Sequence, residues 1–203
     1  MAVKNYEMDS LIINAAIQEF LQCGYKDASL RKIAVIAGTT TGSLYMRYGN
    51  KDQLFCSLTK CVTDEVEKAF CDLKPLYESS QTEADMLCAI QAEAETILRI
   101  IFKHYDAAVL LLCKSEGSSC GDFFNRLVTR KISESDAFFG NFEKSEDLKN
   151  AFNVLLAVQF NMYRHILLNG YSEIQAQNCM KILMTFMNGG WSAIMQNLVN
   201  EMI

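Results

Sequence analysis

The side chains able to make or break bonds are few in this chain, and their spacing decides whether they act together. Eight cysteines and two histidines are the soft and imidazole ligands available. No two cysteines stand two residues apart, and neither His104 nor His165 has a cysteine at zinc-site spacing, so no metal site is expected. Gly117-Ser118-Ser119-Cys120-Gly121 matches the nucleophile-elbow pattern Gly-x-Ser-x-Gly. That elbow needs a strand before it and a helix after it, whereas Leu110 to Glu116 reads as helix, so the motif is a loop and no catalytic residue, cofactor or enzymatic activity is expected. A second concentration, Ser29, Arg31, Thr40, Thr41, Ser43, Tyr45, Arg47 and Lys51, offers hydroxyls and cations. Its chemistry is hydrogen bonding and charge.

The elements that must hold these residues follow from local spacing. Ser29 can cap a helix whose apolar positions Leu30, Ile33, Ala34 and Ala37 recur at three and four residues, and Gly38 ends it. Thr40 is the next N-cap. It opens a short helix with Leu44 and Tyr48 on one face, while Thr41, Ser43, Tyr45 and Arg47 lie away from it. Gly49 breaks that helix, and Asn50 with Gln53 forms a capping-box pattern that starts another. Lys51 then sits in a first turn, where a cation opposes the macrodipole and is better suited to a phosphate. Upstream, Ile13, Ala16, Ile17 and Phe20 give a bracing helix stopped at Gly24. Three helices joined by such tight turns make a helix-turn-helix module, which points to DNA.

Over residues 9 to 56 the chain resembles the tetracycline-repressor (TetR) family of one-component bacterial regulators. The resemblance rests on Ser29-x-Arg31-x-Ile33-Ala34, then Ala37-Gly38, then Gly42-x-Leu44-Tyr45, with aromatic Tyr48 three residues on and Lys51 three after that. It implies that Ser29 and Tyr45 contact the DNA backbone, that Arg31, Thr40, Thr41 and Ser43 face base edges, that Lys51 binds phosphate, and that Gly42 allows close approach to the duplex. The side-chain chemistry is compatible: hydroxyls bond phosphate oxygens, and arginine pairs bidentately with guanine. Val35 and Ile36 stand where the family usually has polar residues, and Thr39 where an apolar one is common, which questions the local packing.

The rest of the chain must support this head. Of 203 residues half are hydrophobic, one is proline, and no alternating run suggests a strand, so the expected fold is all-α with about nine helices. The domains expected are a helix-turn-helix DNA-binding domain at 1-50 and a ligand-binding and dimerisation domain at 51-203. A helix from Asn50 should end near Leu73, ahead of Pro75. Others fit near 82 to 104, 106 to 116, 119 to 139, 147 to 169 and 172 to 200. No window approaches the roughly 18 unbroken apolar residues of a membrane span, and Met1 to Asp9 does not read as an export leader, so a cytoplasmic location and reduced thiols are expected. The formal charge of -5 is unusual for a nucleic-acid binder, yet residues 1 to 50 carry +1 and the acid lies beyond them. So weakly basic a head predicts modest non-specific affinity and a shallow salt dependence, with specificity leaning on fit and on paired binding.

The last two segments are apolar on several faces, more than one monomer readily hides. Phe152, Leu156, Phe186, Trp191 and Ile194 are the expected dimerisation residues, and Gly189-Gly190 would admit a neighbouring helix. The resemblance implies a twofold homodimer joined by a four-helix bundle, reading near-palindromic double-stranded operator DNA, and a body enclosing a small-molecule effector pocket, most often in a repressor. Candidate pocket residues are Arg99, Phe102, Phe124, Gln159, Asn161 and Tyr163, with His104, Arg164 and His165 as further polar groups in apolar stretches. Two other readings compete. One is a thiol-based redox sensor using Cys56 with Cys61 or Cys113 with Cys120; the other is a helical interaction protein that binds no DNA.

Overall fold

The computed structural model describes residues 6–80, 82–138 and 146–201. Among them are nine helices and no strand: α1 (Tyr6–Asp27), α2 (Leu30–Ile36), α3 (Thr41–Tyr48), α4 (Lys51–Ser79), α5 (Glu83–Lys103), α6 (Tyr105–Cys113), α7 (Phe123–Phe138), α8 (Glu146–Leu168) and α9 (Glu173–Glu201). The all-α architecture expected from periodicity is the one present.

Packing divides the chain into two compact units, Met1–Cys61 with Tyr105–Asn169, and Val62–His104 with Gly170–Ile203. In the first, α1 packs on α2 and α6, α2 on α3, and α8 on both α6 and α7. Its head core gathers Ile12, Ala16 and Phe20 of α1, Ile33 and Ala34 of α2, Leu44 of α3 and Leu54 and Phe55 of α4, with Leu110 of α6. Phe55 meets Phe20 edge-on at 4.9 Å and Tyr25 at 5.2 Å, the T-shaped geometry that aromatic quadrupoles favour. In the second unit α5 packs on α9, and Val66, Ala94, Ile97, Ile101, Ala176 and Met180 are buried.

Local capping chemistry sets the helix starts. Ser29 Oγ accepts from the Lys32 amide at 3.4 Å, Thr40 Oγ1 from the Ser43 amide at 3.2 Å, and Asn50 Oδ1 from the Gln53 amide at 2.8 Å. Thr82 and Asp85 form a reciprocal capping box ahead of α5, as do Ser172 and Gln175 ahead of α9. Gly24 interrupts α1 with φ +73°, a left-handed conformation that an L side chain rarely takes, and the turned chain lets the Tyr25 amide donate to Lys114 O at 2.8 Å.

The end of α4 is the helix boundary that differs most from the sequence reading. Instead of ending near Leu73, α4 runs through Pro75 to Ser79. Proline removes the amide that would bond to Cys71 O, but Cys71 and Pro75 are both exposed, so water can serve that carbonyl. Ser79 and Ser80 then donate to Leu76 O and close the last turn.

Candidate DNA-reading head and effector cavity

Ser29, Arg31, Thr40, Gly42 and Tyr45 are exposed, Thr41, Ser43 and Lys51 half-buried, and Leu44 is the residue of α3 turned fully into the core. Tyr45 is 53% and Met46 91% exposed, so α3 presents an uncovered face. Gly42 has no positive φ, and a Cβ there would meet Thr40 Oγ1 at an ordinary 3.7 Å. Among the described residues no packing contact demands glycine at that position.

Two ion pairs and a lysine hydrogen bond to a backbone carbonyl, all missed by sequence reasoning, position the head. Glu19, 2% exposed, accepts from the Ser29 amide at 3.2 Å and pairs with Lys32 at 2.6 Å, tying α1 to the start of α2. Burial alone would raise the Glu19 carboxyl, but the Lys32 and Ser29 hydrogen bonds and the Lys32 charge outweigh it and hold the group below its usual value. Arg47 pairs with Asp9 of α1. The Lys51 amine donates to Lys26 O at 3.1 Å and lies 4.9 Å from the Tyr25 ring centroid, and its burial pushes its pKa down. Lys51 is therefore a positioned cation rather than a freely sweeping one. A buried glutamate on a helical stripe gives no local sign of these partners, so spacing could not have found them.

The loop from Lys114 to Asp122 grips the same region. Asp52, next to Lys51, accepts from the Ser119 amide at 2.8 Å and the Ser119 hydroxyl at 2.6 Å. The Ser119 hydroxyl and amide, with help from the Tyr25 hydroxyl, hold the Asp52 carboxyl below its usual value despite partial burial. Cys56 Sγ lies 3.4 Å from Ser119 Oγ, and Thr59 Oγ1 donates to Cys120 Sγ at 3.7 Å. The loop is tightly wound: a Cβ on Gly121 would stand 2.8 Å from Ser115 O.

On its other side this loop closes a cavity of about 350 Å³ between α6, α7 and α8. Leu111, Leu112, Phe124, Val128, Ala157 and Phe160 supply its apolar wall, and Ser115, Gly121, Asn125, Thr129, Asn161 and Arg164 its remainder. Of the six pocket residues expected from sequence, Phe124 and Asn161 line it. Tyr163 and Gln159 are buried on α8, with Tyr163 6.2 Å from the Phe160 ring. Arg99 is exposed and donates to Thr96 Oγ1, and half-buried Phe102 shares α5 with it, in the other unit. Of the further polar groups, Arg164 lines the cavity, His104 pairs with Glu65, and His165 is exposed.

Of the expected dimerisation residues, Leu156 is buried, Trp191 half-buried and Phe186 79% exposed; the side chains of Phe152 and Ile194 lie outside the described residues. Ile174, Ile182 and Phe186 leave one stripe of α9 uncovered, while Val154 and Val158 are exposed on α8. Space beside Gly189 and Gly190 is open. The thiols that come together are Cys56 and Cys120, not the pairs spacing suggested. Burial and the Cys120 hydrogen bond push the Cys56 thiol up to about 11, and burial raises Cys113 against the pull of Arg164 and Lys114. Among the described residues no cluster of three or more potential ligands could hold a metal, and no helix is long and apolar enough to cross a membrane.

A helix-turn-helix head carried on a helical body defines a DNA-binding transcriptional regulator. Residues 12–58 match the model of the tetR family of bacterial regulatory proteins. The chain's fold is shared with NalD, the secondary repressor of the MexAB-OprM multidrug efflux pump in Pseudomonas aeruginosa (TM-score 0.61, 18% identity, covering 90% of this chain and 96% of that one). A TetR-like transcriptional regulator from Rhodococcus sp. RHA1 is similar at TM-score 0.60 and 17% identity, covering 93% of this chain and 100% of that one. FadR from Bacillus subtilis, solved with stearoyl-CoA, is similar at TM-score 0.56 and 16% identity, covering 87% and 97% respectively.

Proposed function

We propose that the chain is a ligand-responsive repressor that binds a near-palindromic operator as a homodimer and leaves it when a small apolar or amphipathic effector fills the cavity between α6, α7 and α8. In this reading residues 1–50 read DNA and 51–203 sense and dimerise. Ser29, Tyr45 and Lys51 hold phosphates, Arg31, Thr40, Thr41 and Ser43 face base edges, and Gly42 admits the duplex. Exposed apolar positions on α8 and α9, Phe186 foremost, form the dimer contact. Twofold symmetry then sets two heads about one DNA turn, or a multiple of it, apart.

The observation that carries this reading is the loop shared by cavity and head. Ser115 and Gly121 line the cavity, while Lys114 and Ser119 of the same loop hold Tyr25 and Asp52 beside Lys51. A ligand that displaces the cavity wall therefore strains hydrogen bonds that position a DNA-facing lysine. Thiol sensing is disfavoured by the upward shifts of Cys56 and Cys113, because the thiolate is the reactive form.

The test is a fluorescence-anisotropy titration against the intergenic DNA beside the protein's own gene, with scrambled DNA as control, at two salt concentrations. Light scattering on wild type and Phe186→Glu accompanies it. Selective binding by a dimer that the variant dissociates is the expected result. Equal, weak binding to both DNAs by a protein known to be free of ligand would overturn the repressor reading.

A further inference from the structure

We propose that the cavity takes an amphipathic monoanion, an apolar body with a carboxylate head held by Arg164; this rests on the effector reading given above and narrows it to one chemical class. The wall is apolar along Leu111, Leu112, Phe124, Val128, Ala157 and Phe160, which accounts for the body. The polar part of the wall accounts for the head. Ser115 Oγ donates to Leu111 O at 2.6 Å, Thr129 Oγ1 to Asn125 O at 3.0 Å, and Asn161 Nδ2 to Ala157 O at 3.0 Å. Each of these groups directs a proton at a nearby backbone carbonyl, which leaves the Asn125 amide and the second Asn161 N–H as uncharged donors that can assist a head group but supply no charge. Among the described residues Arg164 is the charged member of the lining and no carboxylate lines it: the acids of the adjoining loop, Glu116 and Asp122, are exposed and outside the wall. Among the described residues no carboxylate pairs with Arg164.

A guanidinium presents a planar fork that matches a carboxylate with two parallel hydrogen bonds, and one such cation balances one negative charge. A doubly charged phosphate head would need a second cation that the wall lacks. A cationic amphipath would meet repulsion with nothing to offset it, and Lys114 beside the cavity adds to the same positive field. The side of the Cys113 thiol facing α8 already feels the Arg164 charge, which pulls its pKa down against burial. Neutral amphipaths fill the apolar space but leave the guanidinium without a partner.

Calorimetric titration of the full-length protein with decanoate, decanol and decyltrimethylammonium, each below its micelle concentration, tests the assignment on wild type and Arg164→Gln. Arg164 is exposed, so the variant should fold, and circular dichroism checks that it does. Decanoate should bind at least about tenfold tighter than decanol, and the variant should erase that difference while keeping decanol binding. Failure of decanoate to bind, parity between decanoate and decanol, or an undiminished preference in Arg164→Gln would each overturn the monoanion class. The DNA titration is run in parallel on ligand-free protein. Decanoate binding without selective DNA binding would leave the cavity assignment standing and remove the repressor reading, so the two failures are separable.

Discussion

The head and the cavity belong to the same compact unit but were built by different rules. In the head, the helix starts are set by neighbours three positions away, while longer-range pairs such as Glu19 with Lys32 fix how the helices meet. Ser29 caps through Lys32, Thr40 through Ser43 and Asn50 through Gln53, so spacing alone predicts the geometry. The cavity draws its wall from Leu111 to Arg164 across three helices and a loop, and no single stretch carries its pattern. Short-range chemistry is legible in a sequence; a concave surface assembled from distant turns is not. The difference also separates what each region tolerates, and substitutions can break or sharpen it.

The largest effect is expected at Phe55, which is fully buried and packs against both Phe20 and Tyr25. Phe55→Ala should cost about 3–5 kcal/mol, visible as an early melting transition. Because Leu110 of α6 joins the same core, decanoate binding should fall with DNA binding. If decanoate binding survived intact while the head melted, the two regions would be independent and the shared-loop mechanism would fail.

Next come the proposed DNA contacts. Arg31→Ala should weaken operator binding by about 1–3 kcal/mol and relax base preference at one position, whereas Tyr45→Ala and Lys51→Ala should weaken binding to all DNA alike, with Lys51→Ala flattening the salt slope. Anisotropy against operator and scrambled DNA separates these outcomes. Unchanged affinity in all three would remove the proposed reading face. Lys51 also donates to Lys26 O, so its variant is scored beside its melting temperature.

A smaller effect is expected where the two regions meet. Asp52→Asn or Ser119→Ala should lower stability by about 1 kcal/mol, since one hydrogen-bonded contact at a partly exposed site is lost. The pH dependence has a definite sign. The folded carboxyl lies below its usual value, so its contribution is complete above the unfolded pKa of about 3.9 and drains away as pH falls through the folded value. Wild type should therefore lose more stability than Asp52→Asn below about pH 4. If the two acid profiles are parallel, Ser119 is no anchor for α4.

The unreadable parts have physical reasons. Pro75 was expected to end α4, but at an exposed turn water can replace the lost hydrogen bond, and the helix continues. Arg99 and Arg164 are alike as lone cations in apolar stretches. One bonds Thr96 a turn back, and the other lines the cavity; the elements packed beside each, not spacing, distinguish them. Glu19 was countable as a charge, while its role as anchor of Ser29 and Lys32 depends on a contact ten residues away.

Val35 and Ile36 provide the smallest test and the finest probe of the head's outer surface. Apolar residues there cast doubt on local packing, yet Val35 is 73% exposed and Ile36 is exposed too, while Ile33, Ala34 and Ala37 fill the core. Val35→Thr should therefore change stability by no more than about 0.5 kcal/mol, read as melting temperature. A larger loss would mean that the side chain is covered in solution by a second copy, since no described residue covers it. If melting is unchanged but operator affinity drops, Val35 itself touches DNA, through a thymine methyl or the sugar backbone, and the reading face extends past Arg31 along α2. If neither changes, the boundary of that face falls between Arg31 and Val35, and the chemistry of recognition is confined to the hydroxyls, the guanidinium and the amine that spacing alone had brought together.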